Sequence, residues 1–292
     1  MVIDLRGTGA KLALVLVFCC IPFFFHHGKQ VKEKQVEKPV LVGEFISWTE
    51  VDKLFPRYAK AKIIDVDTGK EFYVQRRGGA YHADIQPLTA EDTAVMKEIY
   101  GGKWSWKRRA VLLELENGRR IAASINGMPH GQGAIKDNQF NGHSCIHFRD
   151  SKTHGSRRVD KAHQLMVWKA AGVIEQQMRT HSAEEILVYF FMALNQEDDS
   201  IAKKLLLHPS KKALEPFTDI ETISIDHIKP LGENWFEVKM RVRFKNADRE
   251  LLRVQKIRME KQDGYYHLDE QYLGNIQDDD VHKVMDWFSA IL

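Results

Sequence analysis

The chain has 292 residues, of which 43% are hydrophobic and 28% are charged, and its 43 basic and 40 acidic residues leave a net charge of +3. This apolar content excludes a largely disordered chain, and the balanced charge gives no support for nucleic-acid binding. The length is sufficient for two domains.

The N-terminal segment has the features of an export signal. Residues 12–25 are an uninterrupted apolar run that follows two basic residues, Arg6 and Lys11. A helix of this length rises only ~21 Å, which is less than the ~30 Å hydrocarbon core of a membrane. We therefore predict a signal peptide or an uncleaved membrane anchor over residues 1–27, with a buried N-terminal helix as the alternative, and a charged linker over residues 28–43.

Residues 44–180 are predicted to form a mainly β domain with flanking helices. Ser47 and Glu50 have the spacing of a helix capping box, and Asn117-Gly118 is a strong signal for a hairpin turn. The predicted elements are a short helix within 44–60, a hairpin over 62–75, a helix over 89–100, a hairpin over 110–125 and a helix over 160–178.

Residues 181–292 are predicted to form a smaller α+β domain, because helical patterns come first and strand patterns follow between residues 220 and 273, with a last helix after residue 278. This order resembles a SnoaL-like (nuclear-transport-factor-like) domain, and the resemblance implies a cone-shaped cavity or a face for a homodimer. No catalytic constellation is evident here, since His227 and His267 lie singly on predicted strands.

Cys145 is the centre of the most informative stretch of the sequence. His130, His143 and His147 lie within fifteen positions of it, whereas Cys19 and Cys20 belong to the N-terminal apolar segment. An adjacent imidazole can convert a thiol into a nucleophilic thiolate. Three interpretations follow: a cysteine–histidine catalytic pair, a buried structural cysteine, or a metal site. The metal site would use His130, Cys145, His147 and His154, although their spacing fits no standard zinc pattern.

The segment from Gly142 to His147 resembles the Ser-His-Gly-Cys-Ile-Arg signature of YkuD-type L,D-transpeptidases. His130-Gly131 resembles the His-Gly that precedes the cysteine in this family. The resemblance covers residues 60–180 and implies a YkuD-like β-sandwich with flanking helices. Three positions differ from the family pattern, because Gly142 replaces a serine or threonine, Ser144 replaces the glycine, and His147 replaces the arginine.

The resemblance implies peptidoglycan chemistry on the extracytoplasmic side of a bacterial envelope, in a protein that is secreted or membrane-anchored. Cys145 would attack a stem-peptide carbonyl and expel D-alanine, and an amine or water would then resolve the acyl-enzyme. His130 would be the base, and His143 would position the thiol or stabilise the oxyanion. Backbone N–H groups of Ser144 and Cys145 on a tight loop would be oxyanion donors. No metal or other cofactor is required.

Candidate substrate contacts follow from the same comparison. Because His147 replaces the arginine, a substrate carboxylate would be bound by His147 itself or by an arginine close to it in sequence. Gly131 would allow the two loops to approach each other, and Trp104 and Trp106 would form a stacking platform or pack in the core. The arginine candidates are Arg149, Arg157 and Arg158, of which the last two are preferred.

Two further segments are expected to have ordinary structural roles. His82-Ala-Asp84 is interpreted as a loop with the option of lining the cleft, and Lys107–Arg109 as a solvated surface run. Two alternative functions stay open. The first is a cysteine peptidase or amidase on the same scaffold. The second is a non-catalytic wall-binding or scaffolding protein with a degenerate site, which the changes at Ser144 and His147 favour.

Overall fold

The structure is a computed structural model that describes residues 41–273, apart from residues 211, 246 and 248. The predicted signal or anchor segment, nearly all of the linker and the predicted last helix therefore lie outside the described residues. Within the described part of the chain, no helix combines the length and the apolar character needed to cross a membrane.

Six antiparallel strands close into a barrel in the order β1-β2-β3-β6-β5-β4. A sandwich was the expectation, but β1 pairs with β2 on one side and with β4 on the other, so the two predicted hairpins share one sheet. Closure leaves neither hairpin with an unpaired edge. The strands are β1 (Lys60–Asp65), β2 (Glu71–Gly78), β3 (Ala83–Pro87), β4 (Arg108–Glu114), β5 (Arg120–Asn126) and β6 (Ser144–His147).

Strands β3 and β6 complete the barrel and are the two that the sequence pattern did not predict. Every residue of β6 is buried, and four of the five residues of β3 are buried. A strand that is buried on both faces shows no alternation of apolar and polar residues, which is the main sequence signal for a strand. Cys145 therefore lies on a central strand, whereas the family resemblance implied a tight loop.

Three helices pack on the barrel, namely α1 (Trp48–Leu54), α2 (Ala90–Ile99) and α3 (Lys161–Ala171), and a fourth, α4 (Ile174–Met178), follows α3 and packs in the second apolar cluster described below. The capping box of Ser47 and Glu50 is confirmed at the start of α1. The single helix predicted over 160–178 is wrong, because Gly172 ends α3 with a left-handed φ of +69° before α4 begins. Glycine is the residue that most readily adopts this C-terminal conformation.

The C-terminal region has the predicted order of helices followed by a strand meander. Helices α5 (Ala183–Asn195) and α6 (Asp199–Lys204) precede a four-stranded antiparallel sheet in the order β10-β9-β8-β7. Two short 3-10 helices are Glu215–Phe217 and Glu270–Tyr272. The strands are β7 (Ile220–Gly232), β8 (Trp235–Phe244), β9 (Leu251–Gln262) and β10 (Tyr265–Leu268). The structure is thus mainly β with helices, as the α+β prediction requires.

Two apolar clusters stabilise the fold. One fills the barrel with residues from its strands, including Ile63, Phe72 and Leu113. The other runs from the outer face of the barrel through α3 to α5 and the C-terminal sheet, where Phe190 and Val238 are fully buried. Burying each such side chain contributes roughly 1.5–3 kcal/mol. Because α3 packs in the second cluster, its N-terminal end is held against the barrel, where His163 stacks on His147 of β6.

The predicted surface run Lys107–Arg109 instead makes ion pairs with carboxylates of three other segments. Arg109 binds Asp65 at 2.8 Å, and that carboxylate is completely buried. These contacts tie the start of β4 to the β1–β2 turn, to the N-cap of α3 and to the end of α5. The partners of Lys107, Arg108 and Arg109 are Glu197, Asp160 and Asp65.

Candidate active site

Cys145 and His130 are in direct contact. The Sγ atom of Cys145 on β6 lies 3.2 Å from Nε2 of His130. The other ring nitrogen, Nδ1, lies 2.8 Å from the carbonyl oxygen of Met128. A carbonyl only accepts hydrogen bonds, so Nδ1 carries the proton and Nε2 presents a lone pair to the thiol. The arrangement has the three parts of an activated nucleophile: thiol, base and a group that orients the base.

Close backbone approach holds the base in place. His130 and His143 form an antiparallel bridge, in which each N–H donates to the other carbonyl at 3.0 and 2.8 Å. Gly142 has a φ of +126°, and a Cβ atom there would lie 2.5 Å from the carbonyl oxygen of His130. A Cβ on Gly131 would lie 2.5 Å from the ring of His143. Both positions therefore require glycine for steric reasons.

Burial keeps the resting cysteine–histidine pair neutral. Burial raises the pKa of the Cys145 thiol, and the negative charge of Asp84 raises it further. Burial also lowers the pKa of His130. The expectation of a thiolate stabilised by an imidazolium is therefore not met in the resting site. Instead, neutral His130 presents the lone pair of Nε2 to an uncharged thiol.

Asp84 is the second centre of the site. Its Oδ1 atom lies 2.9 Å from Nε2 of His154, 3.4 Å from Nε2 of His82 and 3.8 Å from Nε2 of His143. Cys145 Sγ lies 4.0 Å from the same oxygen. Burial opposes ionisation of Asp84, but the imidazoles of His82 and His154 lower its pKa to about 2. A full negative charge thus lies beside the thiol.

His147 lies in a stack of three imidazoles. Its ring centroid is 4.4 Å from that of His82 and 3.8 Å from that of His163, with interplanar angles of 14° and 7°. Burial lowers the pKa of His147 and of His163 well below the ordinary value, so both rings are neutral. Only 2% of His147 is exposed, so it presents no open face to a substrate carboxylate, contrary to the prediction.

Ser144 has a structural role beside the cysteine. Its buried Oγ donates a hydrogen bond to the carbonyl of Asn126 at 2.6 Å. Its backbone is extended because it belongs to β6, so serine is not strained at this position. Ser144 and Cys145 pair with β3, at Ile85 and Asp84 respectively. The predicted tight loop of oxyanion donors is therefore replaced by the start of a strand.

The three predicted arginine contacts divide into two groups. The guanidinium of Arg149 donates to the carbonyl of Phe45 at 3.2 Å and lies 3.3 Å from the carboxylate of Asp150, so it is held by its own neighbours. Arg157 and Arg158 are exposed. They lie on the loop after β6 that also carries His154, so this loop connects both arginines to the site.

The two predicted tryptophans have different environments. Trp104 packs edge-to-face on Phe140, with ring centroids 5.4 Å apart, and belongs to the barrel cluster. Trp106 is 52% exposed, and its ring centroid lies 5.0 Å from that of His130. Only Trp106 is placed to contact a substrate at the cysteine.

The start of β3 and the residue before it contribute to the site in a way that the sequence pattern did not predict. His82 and Asp84 were interpreted as loop residues, yet both face Cys145. Their i, i+2 spacing was the available signal, since it places two side chains on one face of an extended segment. Gln86, two residues further on, accepts hydrogen bonds from the N–H groups of Ala134 and Ile135 at 2.8 and 3.1 Å. It thereby fixes the loop that follows His130.

Two groups of potential metal ligands lie within the described residues. One consists of His82, Asp84, Cys145 and His154, and the other of His130, His143 and Cys145.

Fold and site together define an α+β protein with a cysteine–histidine pair beside a cluster of imidazoles and one carboxylate. In comparisons with known proteins, no protein-family model, no curated protein and no solved structure matches the chain.

Proposed function

We propose that the protein is a cysteine acyltransferase of the L,D-transpeptidase type, which acts on peptidoglycan stem peptides at the extracytoplasmic face of a bacterial envelope. The observation that carries the proposal is the 3.2 Å contact between His130 Nε2 and Cys145 Sγ, with Nδ1 oriented by the Met128 carbonyl. The resemblance of the segments around His130 and Cys145 to the family signature supports the choice of substrate.

The first half-reaction forms a thioester. His130 Nε2 accepts the thiol proton while Sγ bonds to the carbonyl carbon of the substrate amide. The resulting imidazolium then donates this proton to the leaving amine nitrogen, and D-alanine departs as the carbon–nitrogen bond breaks. General acid–base catalysis of this kind contributes typically 10²–10⁴-fold.

The second half-reaction regenerates the thiol. An amine of a second stem peptide attacks the thioester carbon and loses a proton to His130, and the imidazolium returns this proton to the sulfur as the carbon–sulfur bond breaks. Water in place of the amine would give hydrolysis, which is the peptidase alternative. Trp106 beside His130, with Arg157 and Arg158 on the adjoining loop, is proposed to contact the stem peptide.

A non-catalytic wall-binding protein is the second candidate. The specific observation in its favour is that Cys145 is only 6% exposed, and that burial and Asp84 raise the pKa of its thiol. Such a thiol reacts only when a base takes its proton during the attack. The two candidates therefore differ in whether Cys145 forms a covalent adduct at all.

The test is acylation of Cys145 followed by turnover. Full-length protein would be incubated with a carbapenem and its mass measured, and separately with a disaccharide-tetrapeptide whose products are analysed by mass spectrometry. We expect one adduct on Cys145 and cross-linked dimers with released D-alanine. The Cys145→Ala variant should form neither the adduct nor the products. The control is His227→Ala, which changes an exposed histidine on β7 and should leave adduct and products unchanged.

Each outcome separates the candidates. Release of D-alanine without dimers would identify the peptidase alternative. A folded wild-type protein that forms no adduct and leaves the tetrapeptide unchanged would contradict both the acyltransferase and the peptidase hypotheses. It would favour a non-catalytic wall-binding protein.

A further inference from the structure

Four side chains around Asp84 form a set of metal ligands. His82, Asp84, Cys145 and His154 each offer one ligand atom, and these atoms all lie within 4.8 Å of one another. Two imidazoles, a carboxylate and a thiolate are all ligands that Zn²⁺ accepts, and four of them satisfy its preferred coordination number. The chemistry of the set therefore fits a borderline transition-metal dication.

The hydrogen bonding of His82 leaves a lone pair directed at Asp84. Its Nδ1 lies 2.7 Å from the carbonyl oxygen of Lys152 and must donate to it. In the neutral ring Nε2 is then an acceptor; it lies 3.4 Å from Asp84 Oδ1 and makes no hydrogen bond within the described part of the chain. His82 is only 1% exposed, so water does not compensate on its surface. A buried lone pair that faces the Asp84 carboxylate is unfavourable, so this contact requires either a proton on Nε2 or a metal cation between the two atoms.

The spacing of the ligand atoms agrees with a tetrahedral ion. Bonds of ~2.0–2.3 Å from zinc to nitrogen, oxygen and sulfur place neighbouring ligand atoms roughly 3.3–3.7 Å apart. From Asp84 Oδ1, the distances to His154 Nε2, His82 Nε2 and Cys145 Sγ are 2.9, 3.4 and 4.0 Å. The other pairs of ligand atoms also lie within 4.8 Å of each other.

His82 also has the support expected of a metal ligand. Histidines that bind metals generally donate their second N–H to a carbonyl or carboxylate, which fixes the ring and its tautomer. The Lys152 carbonyl performs this function for His82. By contrast, the group of His130, His143 and Cys145 lacks a carboxylate and supplies three ligands. The site around Asp84 is therefore the better match to a dication.

We propose that His82, Asp84, Cys145 and His154 bind a Zn²⁺ ion, and that the bound ion takes Cys145 out of reaction with electrophiles. On binding, zinc displaces the thiol proton to solvent and forms a zinc–sulfur bond. The charges of Asp84 and the thiolate then balance the two charges of the ion, which suits a buried site. This inference goes beyond the proposed function and does not depend on it, because binding and masking of a thiol require no substrate.

The binding test uses the full-length chain with Cys19→Ser and Cys20→Ser, so that Cys145 is its one thiol. After removal of metal by a chelator, Co²⁺ is added as a spectroscopic probe, and Zn²⁺ affinity is measured by competition with a chromophoric chelator. We expect a thiolate-to-cobalt charge-transfer band that disappears in Cys145→Ser. His154→Ala removes a ligand whose ring is half exposed, so the fold should persist while Zn²⁺ affinity falls by more than about 100-fold.

His227→Ala is the matched control and should bind as tightly as its parent. An absent charge-transfer band in the folded parent would overturn the proposal. Equal Zn²⁺ affinity in the parent and in His154→Ala would also overturn it, and would point to protonation of His82 as the reason for the close contact with Asp84.

Masking is measured by alkylation of Cys145 with iodoacetamide, quantified on the peptide that contains it. Zn²⁺ should slow alkylation at least 10-fold in the parent and leave His154→Ala unaffected, and a chelator should restore the original rate. An alkylation rate that does not respond to Zn²⁺ would contradict the masking. A protein that binds zinc but is never acylated would support the zinc site and contradict the proposed acyltransferase activity. A protein that is acylated at a rate independent of Zn²⁺ would support the acyltransferase activity and contradict the masking by zinc.

Discussion

The barrel and the C-terminal sheet differ in how they bury polar side chains. Among the described residues, the part up to residue 180 buries a long series of them, and the part from 181 onward buries few. The first series includes Asp65, Arg76, His82, Gln86, Asn126, Asn138, Ser144, His147, His163 and Gln164, and the second comprises Asp198, His267 and Asp269. Burying a polar group costs free energy unless it is hydrogen-bonded or paired.

This difference indicates where the molecule's chemistry lies. Within the described residues, six histidines are linked ring to ring around Cys145, from His130 to His163. In the sheet, His227 is exposed, and His267 packs singly on Tyr265. The sheet is stabilised mainly by apolar packing on α5. The barrel, by contrast, buries a network of polar side chains that an apolar core would not need.

The largest expected contrast between the regions concerns catalysis. His130→Ala should slow acylation of Cys145 by a carbapenem about 10²- to 10⁴-fold, because it removes the base nearest to the thiol, whose Nε2 lies 3.2 Å from Sγ. His227→Ala should leave the rate unchanged. Stopped-flow or mass-spectrometric rates at fixed inhibitor concentration provide the measurement. A loss of less than about 10-fold in His130→Ala, with the fold intact, would exclude His130 as the base.

The second contrast concerns ion pairs. Asp65→Ala removes the fully buried partner of Arg109 and should destabilise the protein by about 3 kcal/mol, because the partly buried guanidinium then keeps only its longer pair with Asp67 at 3.4 Å. Asp226→Ala breaks the exposed pair with Arg241 at 2.9 Å and should cost at most about 1 kcal/mol. Urea unfolding followed by circular dichroism would give both values. Equal losses in the free energy of unfolding would show that the buried ion pair stabilises the protein no more than the exposed pair does.

A third contrast compares two glycines with positive φ. Gly142→Ala adds left-handed strain and places Cβ against the His130 carbonyl, so we expect a loss of about 3 kcal/mol together with slower acylation. Gly232→Ala has a φ of +92° but no atom within 4 Å of the new Cβ, so it should cost only about 1–2 kcal/mol. Thermal unfolding and acylation rates distinguish them. If both variants lose the same stability, steric contact with His130 is not the reason for glycine at 142.

The smallest expected contrast concerns Trp106. Its exposed ring beside His130 should contribute about 1 kcal/mol to substrate binding, so Trp106→Ala should raise KM for the disaccharide-tetrapeptide roughly 5-fold and leave kcat nearly unchanged. Trp235→Ala, on β8, removes a ring that packs on Tyr272 at 4.7 Å. It should reduce stability without affecting KM. An unchanged KM in Trp106→Ala would remove this residue from the substrate contacts.

Much of the secondary structure was predictable because its signals are local. A helix cap or a hairpin turn depends on side chains that bind backbone groups no more than three residues away. This holds for the capping boxes at Ser47 and Ser182 and for the Asn117-Gly118 turn. Strands β3 and β6 were missed because they are buried on both faces and therefore show no period of two. The break at Gly172 was missed because apolar residues continue through it.

The sequence by itself determined the cysteine–histidine pair as a hypothesis, through the short spacing of His130 and Cys145 and their likeness to a known signature. It also determined the two hairpins of the barrel and most of the helices, because caps and turns act over a few residues. Closure of the barrel and the assembly of His82, Asp84 and His154 beside Cys145 were decided by the tertiary structure. These residues come from segments far apart in the chain. The pairing of β6 with β3, and the hydrogen bonds of Lys152 with Tyr81 and His82, bring their side chains within reach of one another.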